Sequence, residues 1–223
     1  MKTVQYTDGS RTFTVGKILC IGRNYAEHAR EMNSPVPDRP VVFIKPTTAL
    51  LANEGIIERP SYSKEMHHEV ELVLVIAKEG KNILAPNAAE HIGGFGVGLD
   101  MTLRDLQSRA KQDGLPWALA KGFDTSAPIS SFAPPWAVKD PLSMRIELKV
   151  NGEIRQIGMV RDMIFPLLTL IEKCSECFTL EEGDLVYTGT PAGVGSVRSG
   201  DTLESALYDG DGTLLTSLVN YVH

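Results

Sequence analysis

"MHHEVELVLVIAKEG", residues 66–80, sets Glu69 and Glu71 at the head of an unbroken run of Val, Leu and Ile. The run "VELVLVIA" (70–77) is short, rich in β-branched residues and closed by "KEG", the composition of a strand buried on both faces. Residues two apart in a strand share a face, so Glu69, Glu71 and Val73 line one side while Val70, Leu72 and Leu74 line the other. A rise of about 3.3 Å per residue sets the two glutamate Cβ atoms about 6.6 Å apart, and both carboxylates can then converge on one partner. Left alone, two carboxylates on a half-buried face repel each other and lose their hydration. Something positive is required between them: an Arg or Lys from an adjacent strand, or a divalent cation. An exposed strand with solvated glutamates is the plainer reading of E-x-E. The apolar block after Glu71, and His67 and His68 at the mouth of the strand, argue against it.

Working outward, strand-like runs dominate: "KILCIG" (17–22), "VVFIKP" (41–46), "GFGVGLD" (94–100), "MRIELKVNGEIRQIG" (144–158), "DLVYTGT" (184–190) and the tail from Asp201. Asn151-Gly152 between two alternating runs marks a hairpin, because both residues accept positive φ in a type I′ turn. "YDGDGTLLTSLV" reads as a second hairpin. Helical patterns are fewer: "NYAEHAREM", "LRDLQSRAKQD" with apolar Leu103, Leu106 and Ala110, and a longer stretch near 161–177 interrupted by Pro166. Asp100 ends "GFGVGLD" and is placed to add a third carboxylate to Glu69 and Glu71. Three oxygen ligands without a cysteine suit a hard ion such as Mg²⁺ or Mn²⁺.

Composition narrows the function classes. The chain has 223 residues and a net charge of -6, enough length for a substantial core and no basic field for phosphate backbones or anionic lipid. Neither a basic stripe nor a stacking platform is visible, so a nucleic-acid module is set aside. The start "MKTVQYTDGSRTFTVGKIL" lacks an apolar leader core, and no window approaches the apolar length of a membrane span; a cytoplasmic protein is the expectation. Cys20, Cys174 and Cys177 cannot all pair, and the C-x-x-C at 174–177 closes a helix-like segment without a second ligand pair, so ordinary reduced thiols are expected. "GGFGVG" runs straight into a strand, not a helix, and "GTPAGVG" lacks the Lys-Ser/Thr of a phosphate-binding loop.

In order and spacing, "KILCIGRNYAEHAREM", "PVVFIKPTTAL", "HHEVELVLVI", "GFGVGLDMTLRDLQ", "PWALAKGFDTSAPIS", "LKVNGEIRQIG" and "DLVYTGTPAGVG" together resemble the fumarylacetoacetate hydrolase family, in its compact branch of acylpyruvases and oxaloacetate decarboxylases. The resemblance implies a β-rich α+β fold with a mixed β-roll or β-sandwich core and a few short helices. It implies one catalytic domain over residues 1–223, with 1–16 a short N-terminal lead-in, and a homodimer or higher oligomer. One Mg²⁺ or Mn²⁺ per chain would be held by Glu69, Glu71 and Asp100. The catalytic residues it implies are His28, Glu31 and Lys121, and the substrate contacts are Arg23, Asn24, Lys45, Arg104, Gln107 and Thr190.

Substrates of this family carry a pyruvoyl group, and cleaving an acylpyruvate or decarboxylating oxaloacetate leaves the same fragment, the enolate of pyruvate. A cation at the 2-oxo oxygen stabilises the charge that develops there. His28 would accept a proton from water, with Glu31 one helical turn away orienting the ring. Lys121 would polarise the attacked carbonyl, and Arg104 and Lys45 would hold the anionic end. The expected activity is therefore metal-dependent C–C hydrolysis of acylpyruvate-type 2,4-dioxo acids such as acetylpyruvate or fumarylpyruvate. The alternatives are oxaloacetate decarboxylation or tautomerisation, isomerisation or decarboxylation of an unsaturated dioxo diacid, and keto-acid binding without turnover. Segments 30–40 and 108–118 are where substrate specificity is expected to reside.

Overall fold

The structure, a computed structural model, describes residues 2–31 and 35–223. The strand Val70–Ile76 is buried at every position. It lies in a five-stranded sheet ordered Val41–Lys45, Ile18–Gly22, Leu185–Tyr187, Val70–Ile76, Ile92–Leu99. Neighbours are antiparallel except Leu185–Tyr187 against Ile18–Gly22, which is parallel. The period of two divides the strand as the sequence predicts: Val70, Leu72, Leu74 and Ile76 join one apolar cluster, and Val73 and Val75 another.

Each cluster is closed by a different layer. A second five-stranded sheet, ordered Glu153–Met159, Arg145–Val150, Thr202–Tyr208, Leu214–Val222, Ile56–Ile57, covers the first face. It contributes Ile146, Leu148, Leu203, Leu207 and Leu218 to the shared core. The opposite face is covered by the ribbon of Thr3–Gln5 with Thr12–Thr14, through Val4 and Phe13, and by Ile129 and Phe132. The N-terminal lead-in is thus a packed part of the core.

The predicted hairpin is present. Val150 pairs with Glu153, and Asn151 and Gly152 both take positive φ, 53° and 81°. In "GGFGVG" the glycines serve packing: a Cβ on Gly98 would stand 2.7 Å from Tyr187 Cε1 and 2.9 Å from the Pro128 carbonyl.

Four α-helices are described, α1 Ala26–Glu31, α2 Arg104–Asp113, α3 Ala118–Lys121 and α4 Leu167–Cys177. The stretch near 161–177 is not one interrupted helix. Val160–Asp162 forms a separate 3₁₀ turn, and Pro166 stands at the N-cap of α4, outside the helical hydrogen-bond ladder where its missing N–H costs nothing. Met32, the last residue of the predicted first helix, falls outside the described residues. All three cysteines are free, Cys20 and Cys174 buried and Cys177 exposed. No helix among the described residues is long and apolar enough to cross a membrane.

Candidate metal and active site

Strand register assembles the carboxylates. Val70 pairs with Leu99 and Glu71 with Gly98, and the Asp100 N–H donates to the Glu69 carbonyl at 2.8 Å. Asp100 therefore emerges beside the two glutamates. All three side chains are buried, and one carboxylate oxygen from each lies within 4.8 Å of the others.

The cations around them are unevenly shared. At the end of α3, Lys121 donates from Nζ to Glu69 Oε2 at 2.7 Å, Asp100 Oδ2 at 2.6 Å and Thr102 Oγ1 at 2.6 Å. Arg104 opens α2 and donates from Nη2 to Glu69 Oε1 and from Nη1 to Gln107 Oε1, the latter at 2.6 Å. Lys45 Nζ lies 2.8 Å from Asp100 Oδ1, yet off the direction of a hydrogen bond, so that this oxygen is buried without a donor. Glu71 receives the Gly189 N–H, 2.7 Å from Oε2, and no cationic side chain among the described residues. Burial, with Asp100 and Glu69 nearby, pushes the Glu71 carboxyl well above the usual carboxylate range. For Glu69 burial acts the same way but is outweighed by Lys121 and Arg104, which hold the carboxyl low. Burial also opposes the Lys121 ammonium, and Asp100 and Glu69 together raise it regardless.

A buried, uncompensated Glu71 and an orphaned Asp100 oxygen, converging with Glu69 in an all-oxygen set, fit a hard divalent cation. Gly189 is part of that arrangement. Its φ is +99°, and a Cβ there would stand 2.5 Å from Asn24 Cβ, so only glycine can aim this N–H at Glu71 without strain.

His28 stands in the same cavity. Its Nδ1 lies 3.2 Å from Glu31 Oε2, and Glu31 is itself held by the Gly193 N–H at 3.1 Å. A carboxylate only accepts, so Nδ1 of the neutral ring carries the proton and Nε2 keeps the lone pair. The cavity is lined by Arg23, His28, Phe43, Glu69, Glu71, Arg104, Gln107, Lys111, Trp117, Lys121 and Thr190, with Ile21 and Gly22.

Two expected substrate contacts are elsewhere. Asn24 spends its amide on the backbone, donating from Nδ2 to Thr188 O at 2.8 Å and Phe165 O at 3.1 Å and accepting from the Phe165 N–H at 2.7 Å. It braces the turn that carries Gly189. Lys45 is fully buried, and its ammonium is taken up by the Lys121, Ser126 and Met101 carbonyls, Ser126 Oγ and Asp100. No proton is left for a substrate. Lys111, Phe43 and Trp117 were not anticipated individually, although the first and last fall in the 108–118 segment expected to carry specificity. Lys111 Nζ rests 5.4 Å from the Trp117 ring centre, and Trp117 meets Phe43 edge-on at 5.7 Å. Partial burial of its ammonium end, with Arg104 and Arg23 close by, lowers the Lys111 pKa. A lone lysine at the polar end of a helix carries no sequence signal for that placement.

A sequence model of the family described as Fumarylacetoacetate (FAA) hydrolase C-terminal matches residues 17–222. The chain belongs to the fumarylacetoacetate hydrolase family. It is 49% identical over 198 residues to oxaloacetate tautomerase FAHD1, mitochondrial, of Arabidopsis thaliana, covering 88% of this chain and 89% of that one. The Homo sapiens protein of the same name is 45% identical over 200 residues, 89% of this chain and 90% of the other. Among solved structures, fumarylpyruvate hydrolase from Pseudomonas aeruginosa in complex with Mn²⁺ and pyruvate superposes with a TM-score of 0.92 at 39% identity, covering 99% of this chain and 95% of that one. The fold is that of this family, strand-rich and mixed, as the sequence implied.

Proposed function

We propose that the protein is a Mg²⁺- or Mn²⁺-dependent enzyme that enolises a short, doubly anionic 2-oxo acid, with oxaloacetate tautomerisation and decarboxylation as its first activity. The observation that carries this reading is the His28 imidazole, its Nδ1 held by Glu31, sharing one cavity with Glu69 and Glu71 of the carboxylate group that Asp100 completes. A metal held by Glu69, Glu71 and Asp100 would supply Lewis-acid stabilisation of the negative charge that develops on the 2-oxo oxygen. In tautomerisation His28 Nε2 takes the proton from C3 and delivers it to the 2-oxo oxygen, with Glu31 stabilising the imidazolium between the two steps; in decarboxylation the C3–C4 bonding pair becomes the enolate as carbon dioxide leaves, and His28, protonated from solvent, delivers a proton to C3. Lys121 offsets charge at the reacting carbonyl, and Thr190 and Gln107 contact the bound acid.

Charge balance supports a dianion. In net count the buried Lys45, Arg104 and Lys121 match the three carboxylates, although none of them contacts Glu71, so a divalent ion leaves the assembled group with a surplus of positive charge. Arg23 and Lys111 at the cavity have no ion-pair partner among the described residues and would receive the distal carboxylate. The relatives bearing the oxaloacetate tautomerase name, at 49% and 45% identity, favour the same substrate.

C–C hydrolysis of an acylpyruvate is the second reading, favoured by the fumarylpyruvate hydrolase whose fold this chain shares. There the same His28 Nε2 takes its proton from water. A panel of oxaloacetate, fumarylpyruvate and acetylpyruvate with Mg²⁺ or Mn²⁺ tests both. Oxaloacetate turnover abolished by EDTA, and cut at least about 100-fold by His28→Ala as expected for loss of a general base, supports the first. Acylpyruvate cleavage with no effect on oxaloacetate would make hydrolysis primary, and metal-independent turnover would sink both. A single catalytic unit assembled as a homodimer completes the proposal; light scattering checks the assembly.

A further inference from the structure

Gln156, on the strand Glu153–Met159, is 1% exposed and plays no part in the chemistry above. Its amide makes four contacts. Oε1 accepts the Val70 N–H at 3.0 Å and lies 2.9 Å from His68 Nδ1; Nε2 donates to the Pro191 carbonyl at 2.8 Å and to Thr190 Oγ1 at 2.8 Å. Two of these partners settle the amide's orientation on chemical grounds. A backbone N–H only donates and a carbonyl only accepts, so the oxygen faces Val70 and the nitrogen faces Pro191. The other two polarities then follow. His68 Nδ1 carries a proton, and the Thr190 oxygen is an acceptor. A hydroxyl that accepts from an amide keeps its own hydrogen for another acceptor. Among the described residues no acceptor takes the Thr190 hydrogen, and Thr190 lines the cavity with His28 and Glu71.

We propose that Gln156 is a positioning residue that holds the Thr190 hydroxyl as a hydrogen-bond donor to an anionic oxygen of the substrate, with His68 locking Gln156 from behind. The inference rests on the 2-oxo acid reading of the site and adds to it the polarity of one contact. It also explains His68: a buried imidazole whose Nδ1–H points at the glutamine oxygen, beside but outside the carboxylate group.

Oxalate, a planar dianion with adjacent carboxylate oxygens, is the probe, titrated calorimetrically into the Mn²⁺-loaded protein. Thr190→Val and Gln156→Met should each weaken oxalate binding about tenfold, the loss of one hydrogen bond to a charged acceptor. The double variant should bind no more than about twofold more weakly than Thr190→Val, because coupled residues do not add. Mn²⁺ affinity and Tm, measured alongside, separate this from general damage at the sheet junction. Gln156→Glu keeps an acceptor for Val70 and His68 but removes the donor to Thr190. It should show the same coupling, and it decides the matter if Gln156→Met does not fold. Additive losses in the double variant, or wild-type oxalate affinity in both Gln156 variants, overturn the inference alone. A wild-type protein that neither binds oxalate nor turns over any 2-oxo acid overturns the functional reading, and the inference with it.

Discussion

Glu71 is the carboxylate that the protein's own cations leave uncompensated, and its neighbours Glu69 and Asp100 differ from it in that respect. Glu71→Gln removes a buried charge without removing a counter-ion, so the metal-free protein should gain about 1 kcal/mol or more in stability while losing Mn²⁺ binding. Chemical denaturation and calorimetric titration read the two effects separately. Asp100→Ala should also lose the metal, but it strands Lys45 and Lys121 in the interior, and a loss of about 3–5 kcal/mol is expected on unfolding. Equal stability in the two variants would contradict this division of labour. The metal-ligand candidates were legible because a period of two and a buried run leave few explanations for E-x-E. The family resemblance implies Asn24 and Lys45 as substrate contacts, but a motif match shows which groups can bond and not which groups surround them. Gln156 was invisible: one polar residue in an alternating strand looks like its solvent face.

At the scale of elements, the turn at Gly189 couples the fold to the site. Its positive φ and its closeness to Asn24 leave no room for a side chain, and its N–H is the donor to Glu71. Gly189→Ala should destabilise the protein by about 1–3 kcal/mol, the range for a strained backbone position, and weaken Mn²⁺ binding at the same time. Unchanged metal affinity in that variant would show that the turn does not orient Glu71. By contrast, Gly152→Ala strains a solvent-facing hairpin at φ 81° and should lower Tm with metal affinity intact. That hairpin was readable from Asn-Gly alone, because turn chemistry is local. Helix α2 was harder: Leu103 and Ala110 are buried and Leu106 packs on the core as the apolar pattern suggests, but Arg104 and Gln107 are buried too, Arg104 on Glu69 and Gln107 on Arg104. Hydrophobic periodicity reports greasy contacts and is blind to a face buried by ion pairs.

On the scale of the whole molecule, the central sheet is closed on both sides, and its cation-rich cavity opens where five chain segments distant in sequence meet, at 21–28, 43, 69–71, 104–121 and 190. Strand existence and the wrapping of Val70–Ile76 followed from composition. Sheet order did not, because the parallel neighbour of Ile18–Gly22 is Leu185–Tyr187, far along the chain, and nothing local specifies that partner. Because the carboxylate group exists only when those segments are assembled, metal binding is linked to folding. Mn²⁺ at about 100 times its Kd should add about 2.7 kcal/mol to stability, read as a rise in Tm that EDTA reverses and Glu71→Gln abolishes. The most direct measurement is anomalous diffraction from crystals grown with Mn²⁺. One manganese peak per chain within about 2.0–2.2 Å of oxygens from Glu69, Glu71 and Asp100 is the predicted result; manganese absent from those three carboxylates, or bound elsewhere in the chain, would contradict the account.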